Sequence, residues 1–232
     1  VRFIRKGAEP IELRRWKQLN SRLLDYVVFS NLDRSIKDRL REQMLREQGH
    51  LCAYTMVPIR GPDYCHIEHI QPQSLHPRRS VAYNNMVLCV PGNKEEPCAF
   101  GAVSKGNFDV SEKTFVSPLR RSCETRLRFT FNGNVSAAKN SDEAAKRTIE
   151  ILCLNDPSLI LARRDAVRLQ GIGPYARKPI TAAKARRLIE TIMRADGSGK
   201  IQPYCVAVRQ AAEIFARDSE ARAVRMARKP TH

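Results

Sequence analysis

Two imidazoles, a carboxylate and a thiol fall within five residues at Cys65-His66-Ile67-Glu68-His69, inside the stretch "CHIEHIQPQS". Three chemistries suit that density: a metal site, a proton-transfer site, or a polar loop whose side chains are merely solvated. If the run is a strand, His66 and Glu68 share one face and His69 takes the other. Glu68 and His69 then converge only where the strand ends, and Pro72 predicts an ending there. Downstream, Asn84 and Asn85 precede the apolar run Met86–Cys89, and Asn93 and Lys94 follow it. Each type suits one step of metal-assisted phosphodiester cleavage. A neutral imidazole takes a proton from water near pH 7. A carboxylate and an amide oxygen are hard ligands for Mg²⁺ or Mn²⁺. An asparagine between them holds a loop by hydrogen bonds and so orients the histidine.

The order "EHIQPQS…NNMVLC…NK" resembles the HNH endonuclease pattern, and its surroundings narrow the likeness. "RFIRKGAEP", "REQGHLCAYT", "RLRFTFNGNV" and "IEILCLNDPSLILARR" are similar to the PtuB-like HNH nuclease subunit of Septu-type and retron-associated antiphage systems. This covers residues 1–165 and fades beyond. The resemblance implies an α+β fold with a ββα-metal (HNH) nuclease core, flanked by N-terminal helices and a mostly helical C-terminal region. It implies His69 as general base, Glu68 and Asn93 as ligands of one catalytic Mg²⁺ or Mn²⁺, and Asn85 as the asparagine that orients the loop. It further implies a nucleic-acid substrate (DNA, or RNA such as tRNA), a PtuA-like ATPase subunit as partner, and a retron reverse transcriptase with its noncoding RNA and DNA. His66 and Lys94 are read as support: His66 as a structural group or third ligand, Lys94 as a phosphate contact. The competing reading is an HNH-derived module that binds nucleic acid or the ATPase without cutting.

One departure from the family pattern concerns zinc. Many HNH modules are fastened by two Cys-x-x-Cys knuckles. Here they read Cys52-Ala53-Tyr54-Thr55 and Cys89-Val90-Pro91-Gly92, so each has lost its second cysteine. A structural zinc wants four N or S ligands, so no structural zinc is expected. Cys52 and Cys89 are then small buried apolar residues, with Cys65, His66 and Cys98 the only nearby groups to recruit.

The elements that must position these residues divide the chain into three. Residues 1–49 read as a helical segment. One helix is expected over 9–28 from Leu13, Trp16, Leu19, Leu23 and Leu24, and a second from Asp33 to Gln48 from the Ile36, Leu40, Met44 stripe, stopped by Gly49. Residues 50–123 are rich in Pro, Gly, Asn, Cys and His and form the irregular nuclease module. Residues 124–232 begin with an alternating strand, Thr125–Val135, entering a hairpin at "NGN". A capping box of Asn140 and Glu143 opens a helix to about Cys153, and helices over 157–170, 181–195 and 203–227 follow. "LQGIGPYARK" (Leu169–Lys178) has the Gly171-Ile172-Gly173 core of a helix-hairpin-helix turn, but Gln170 replaces the proline usual before the first glycine and Pro179 interrupts the helix that should follow, which favours a plain interhelical turn.

Composition sets the partner class. Lys and Arg number 41 against 24 Asp and Glu, a net charge of +17 that favours a polyanion. No apolar run reaches membrane-spanning length, and no apolar h-region follows the basic start. Seven cysteines without a disulfide framework fit a reducing cytoplasm.

Overall fold

The structure, a computed structural model, describes residues 1–23, 27–174 and 176–227. Helix α1 (Ile11–Leu19) buries Leu13 and Trp16 and is shorter than its periodicity suggested. Asn20 ends it. The Asn20 side chain and backbone N–H both donate to the Trp16 carbonyl, at 2.8 and 3.1 Å, which satisfies the terminus locally and turns the chain. Leu19 is consequently 85 % exposed. Part of the expected continuation, residues 24–26, lies outside the described residues. Helix α2 (Arg34–Gln48) buries Ile36, Leu40, Met44 and Leu45, and ends in a left-handed Gly49 as its sequence predicts.

Two small antiparallel sheets follow. Strands β1 (His66–His69) and β2 (Met86–Cys89) pair His66 with Cys89 and His69 with Met86. The edge of β2 is completed by Gln48 of α2. Its amide nitrogen donates to the carbonyls of Leu51 and Leu88, and its oxygen accepts from Leu88 N–H at 2.7 Å, so a buried amide serves as a third strand. Beyond β2 the chain makes one helical turn, α3 (Ala102–Lys105), and another, α4 (Cys123–Arg126).

Strands β3 (Leu127–Phe129) and β4 (Val135–Ala137) form the second sheet. The expected strand is trimmed at its start because Cys123–Arg126 is helical, and the turn comes at Gly133, with φ of 87°. An added Cβ there would meet the Ile160 carbonyl at 2.0 Å, so both backbone angle and space demand glycine.

Helices α5 (Glu143–Ile151), α6 (Pro157–Leu169), α7 (Ala182–Thr191) and α8 (Cys205–Ala227) complete the described chain. The capping box does not form. Asp142, held by Arg126, caps α5 by accepting from Ala145 N–H at 3.0 Å. The first turns of α8 are buried all round (Cys205 to Val208, Ala211, Ala212), packed against α7, α6 and β3. One continuous core joins all three segments, from Leu13 and Met44 through Tyr54 and Leu88 to Leu127, Leu152 and Val206. The result is an α+β fold with two two-stranded sheets and several helices.

Candidate functional site

On β1, Glu68 faces inward and meets a residue whose role its sequence position did not suggest. Lys105, at the end of α3, places Nζ 2.7 Å from Glu68 Oε1. The same ammonium donates to the carbonyls of His69 (3.2 Å) and Gly106 (3.3 Å), so all three of its N–H groups have acceptors. Its side chain is 1 % exposed. Tyr54 donates to the same Glu68 oxygen at 3.5 Å. Burial raises the Glu68 carboxyl above its ordinary value, against the pull of Lys105. An ion pair this dry is held by geometry, since desolvation offsets much of its attraction. The only sequence cue to Lys105 is a lysine closing a short turn of small residues, "GAVSKG".

His69 takes the other face of β1 and is 4 % exposed. Its Nε2 lies 2.7 Å from the Ser80 carbonyl, and its ring meets Phe29 edge-on at 4.9 Å. A carbonyl only accepts, so Nε2 carries the hydrogen and Nδ1 keeps the lone pair. Burial lowers the His69 pKa to about 4, with Lys105 acting in the same direction, so the ring is neutral at pH 7.

The loop that carries Ser80 is pinned by Asn85, a side chain 2 % exposed. Asn85 Oδ1 accepts from Gln71 N–H at 2.8 Å. Its Nδ2 donates to the carbonyls of Gln71 (3.0 Å) and Arg79 (3.2 Å). Asn85 thus holds both ends of the 71–79 loop, and through it the carbonyl that fixes His69.

The remaining expected residues are elsewhere. Gly92 packs against the backbone of Asp63–Cys65, beyond the start of β1, whereas His69 lies at its end, about 10 Å further along at 3.3 Å per residue. Asn93, exposed and next to Gly92, therefore sits at the far end of the hairpin from His69. Lys94 pairs with exposed Asp63 at 2.7 Å. His66 Nδ1 lies 2.7 Å from the Pro91 carbonyl and ties the two chain segments together at that end. Cys65 Sγ donates to the carbonyls of Gly61 and Pro62. The residues expected to hold Mg²⁺ or Mn²⁺ do not fit the ion: Glu68 is already matched by an ammonium, and Asn93 is remote. Among the described residues no group of three or more His, Cys, Asp or Glu could hold a metal.

The two incomplete knuckles come together, and their donor set does not fit zinc either. Cys52 and Cys89 are both buried. Burial opposes ionisation of both, but hydrogen bonds from Cys89, Thr55 and the Val90 backbone pull Cys52 below its ordinary value, while Cys89 is pushed well up. At position 92 a Cβ would lie 2.3 Å from Asp63 O and Cys65 N, which leaves no room for a fourth thiolate. Cys98 instead donates to the Phe100 carbonyl.

The glycine turn after α6 is occupied with its own packing. Gly171 N–H donates to Arg168 O and its carbonyl accepts from Ile180 N–H, while Gly173 lies against Phe131. Gly171 N–H is therefore spent, and Tyr175 of the motif lies outside the described residues. No helix among the described residues is long and apolar enough to cross a membrane. Comparison with protein-family models and with curated proteins gave no match.

Proposed function

We propose that this chain is a nucleic-acid-binding module built on an HNH-like β-hairpin, in which a lysine of the chain itself takes the cation's place at Glu68. One observation carries the reading: Lys105 Nζ is 2.7 Å from Glu68 Oε1, buried, with every N–H satisfied. A divalent ion at Glu68 would have to displace this ammonium, at the cost of a buried unpaired charge. The excess of 41 Lys and Arg over 24 Asp and Glu supplies affinity for phosphate without reading sequence. The test is a binding titration on a DNA duplex and on tRNA at several salt concentrations, with a cleavage assay in Mg²⁺ and Mn²⁺ run alongside. Binding without cleavage is the expected outcome; metal-dependent cutting by the purified protein overturns it.

A second reading has its own support. His69 keeps Nδ1 as a neutral base while Nε2 is anchored on Ser80, which is the orientation that proton abstraction from water needs. Under that reading the chain is a metal-dependent HNH endonuclease of an antiphage system. Lys105 must then leave Glu68, a change that a PtuA-like ATPase or a retron reverse transcriptase with its nucleic acid would have to drive. Cleavage that appears only with the partner, and disappears in His69→Ala while binding persists, selects it.

A further inference from the structure

A cavity of about 690 Å³ opens beside the Asn85-pinned loop. Gln71, Arg79, Asn84 and Arg126 line it, together with Arg120 and Glu112, which pair with each other. We propose that this groove seats the nucleic-acid backbone, with Arg79 as the residue that grips a phosphate. The proposal rests on the nucleic-acid-binding reading and names the place and the anchor.

The first reason is the state of the Arg79 charge. Nη1 donates to Gln71 Oε1 at 2.5 Å and Nη2 to Asn84 Oδ1 at 3.3 Å. Both acceptors are neutral amide oxygens. They orient the guanidinium without cancelling its charge, and Arg79 has no carboxylate within ion-pair distance among the described residues. The other arginines of the groove differ, Arg126 being matched by Asp142 and Arg120 by Glu112.

The second reason is what holds the orienting residues. Surface arginines are ordinarily mobile and solvated. Here the backbones of Gln71 and Arg79 are both fixed by the buried amide of Asn85. A guanidinium held in advance loses less entropy when it grips a phosphate oxygen pair.

A second cleft, of about 730 Å³, contains Arg60, Arg194 and Lys200 and is the obvious competitor. The C-terminal ends of α2 and α7 lie along it at His50 and Ile192. Helix C-termini carry partial negative charge and Asp196 also lines the cleft, so an anion is opposed there.

The groove also abuts the candidate site. Arg79 is the neighbour of Ser80, whose carbonyl holds His69 Nε2. A phosphate on Arg79 would lie one residue from the group that fixes the imidazole.

The experiment compares wild type, Arg79→Gln and Arg194→Gln by fluorescence anisotropy on a labelled mixed-sequence DNA duplex and on bulk tRNA, from roughly 50 to 200 mM salt. Glutamine keeps a donor for the neighbouring oxygens, and thermal melting checks that each variant is folded. Arg79→Gln should weaken binding roughly tenfold at low salt and lower the salt slope by about 1, with Arg194→Gln close to wild type. Equal losses in the two variants, or an unchanged Arg79→Gln, overturn the groove while leaving nucleic-acid binding intact. A wild type that binds neither probe overturns the underlying reading and the groove with it.

Discussion

The two hairpins have strands of nearly equal length and are built on opposite plans. Strands β3 and β4 are joined by residues 130–134, where Thr130 N–H bonds Asn134 O and Gly133 takes the turn. A link that short sets the register by itself. Three side chains around it make their hydrogen bonds to backbone. Asn155 pairs with both polar groups of Val135. Gln210 accepts from Phe129 N–H and donates to Glu124 and Leu127 carbonyls. Buried Arg163 donates to the Gly133 and Leu154 carbonyls, each at 2.6 Å. Strands β1 and β2 are joined by residues 70–85, too long a link to fix anything locally. Their register and their loop depend on Gln48 and Asn85, and their ionisable groups meet each other rather than backbone alone. A hairpin fixed by its turn needs no distant side chain to set its register. One fixed by distant side chains has a loop free to be shaped around a ligand.

The sharpest way to break this contrast is to remove the charge that β1 faces. Lys105→Met leaves Glu68 buried without a cation and should cost about 3–5 kcal/mol in urea denaturation, while adding Glu68→Leu should restore most of it. If the double variant is as unstable as the single one, the ion pair is not what Lys105 contributes.

Titration probes His69 next. Its folded pKa of about 4 lies below the unfolded value near 6.5. The unfolded chain binds the extra proton between those values, so this contribution is complete above pH 6.5. It is lost as pH falls toward 4, on the order of 3 kcal/mol in all. Glu68, its carboxyl raised, acts in the opposite sense, so wild type must be compared with His69→Gln. Stability curves that stay parallel across that window would show that the imidazole is not held neutral by burial.

A matched pair of amides tests the division of labour directly. Asn85→Ala and Asn155→Ala each remove clamps on a hairpin, and each should cost about 2 kcal/mol. Only Asn85→Ala should also weaken nucleic-acid binding, because only its loop presents Arg79. Equal binding by the two variants at matched stability would erase the distinction. The smallest expected effect is on Lys94→Ala, whose pair with Asp63 is exposed and solvent-screened, so its denaturation midpoint should match wild type.

Much of this molecule is written in short-range pattern. The stripe Ile36, Leu40, Met44 with Gly49 after it specifies α2. Asp156 and Pro157 open α6, and "NGN" marks the second turn. These signals are local because helix and turn geometry links residues only a few positions apart. Local pattern failed where a nearby side chain competed for the backbone: Asn20 stops α1, and Asp142 rather than Asn140 caps α5. The residue types of a candidate site were equally legible, for Glu68, His69 and Asn85 stand out by kind and spacing. Which of them meet was not. That Lys105 reaches Glu68, that Asn85 holds Gln71 and Arg79, and that Asn93 is left at the far end of the hairpin depend on the path of long loops. Such paths are settled by packing across the whole core, where no periodicity in the chain points from one partner to the other.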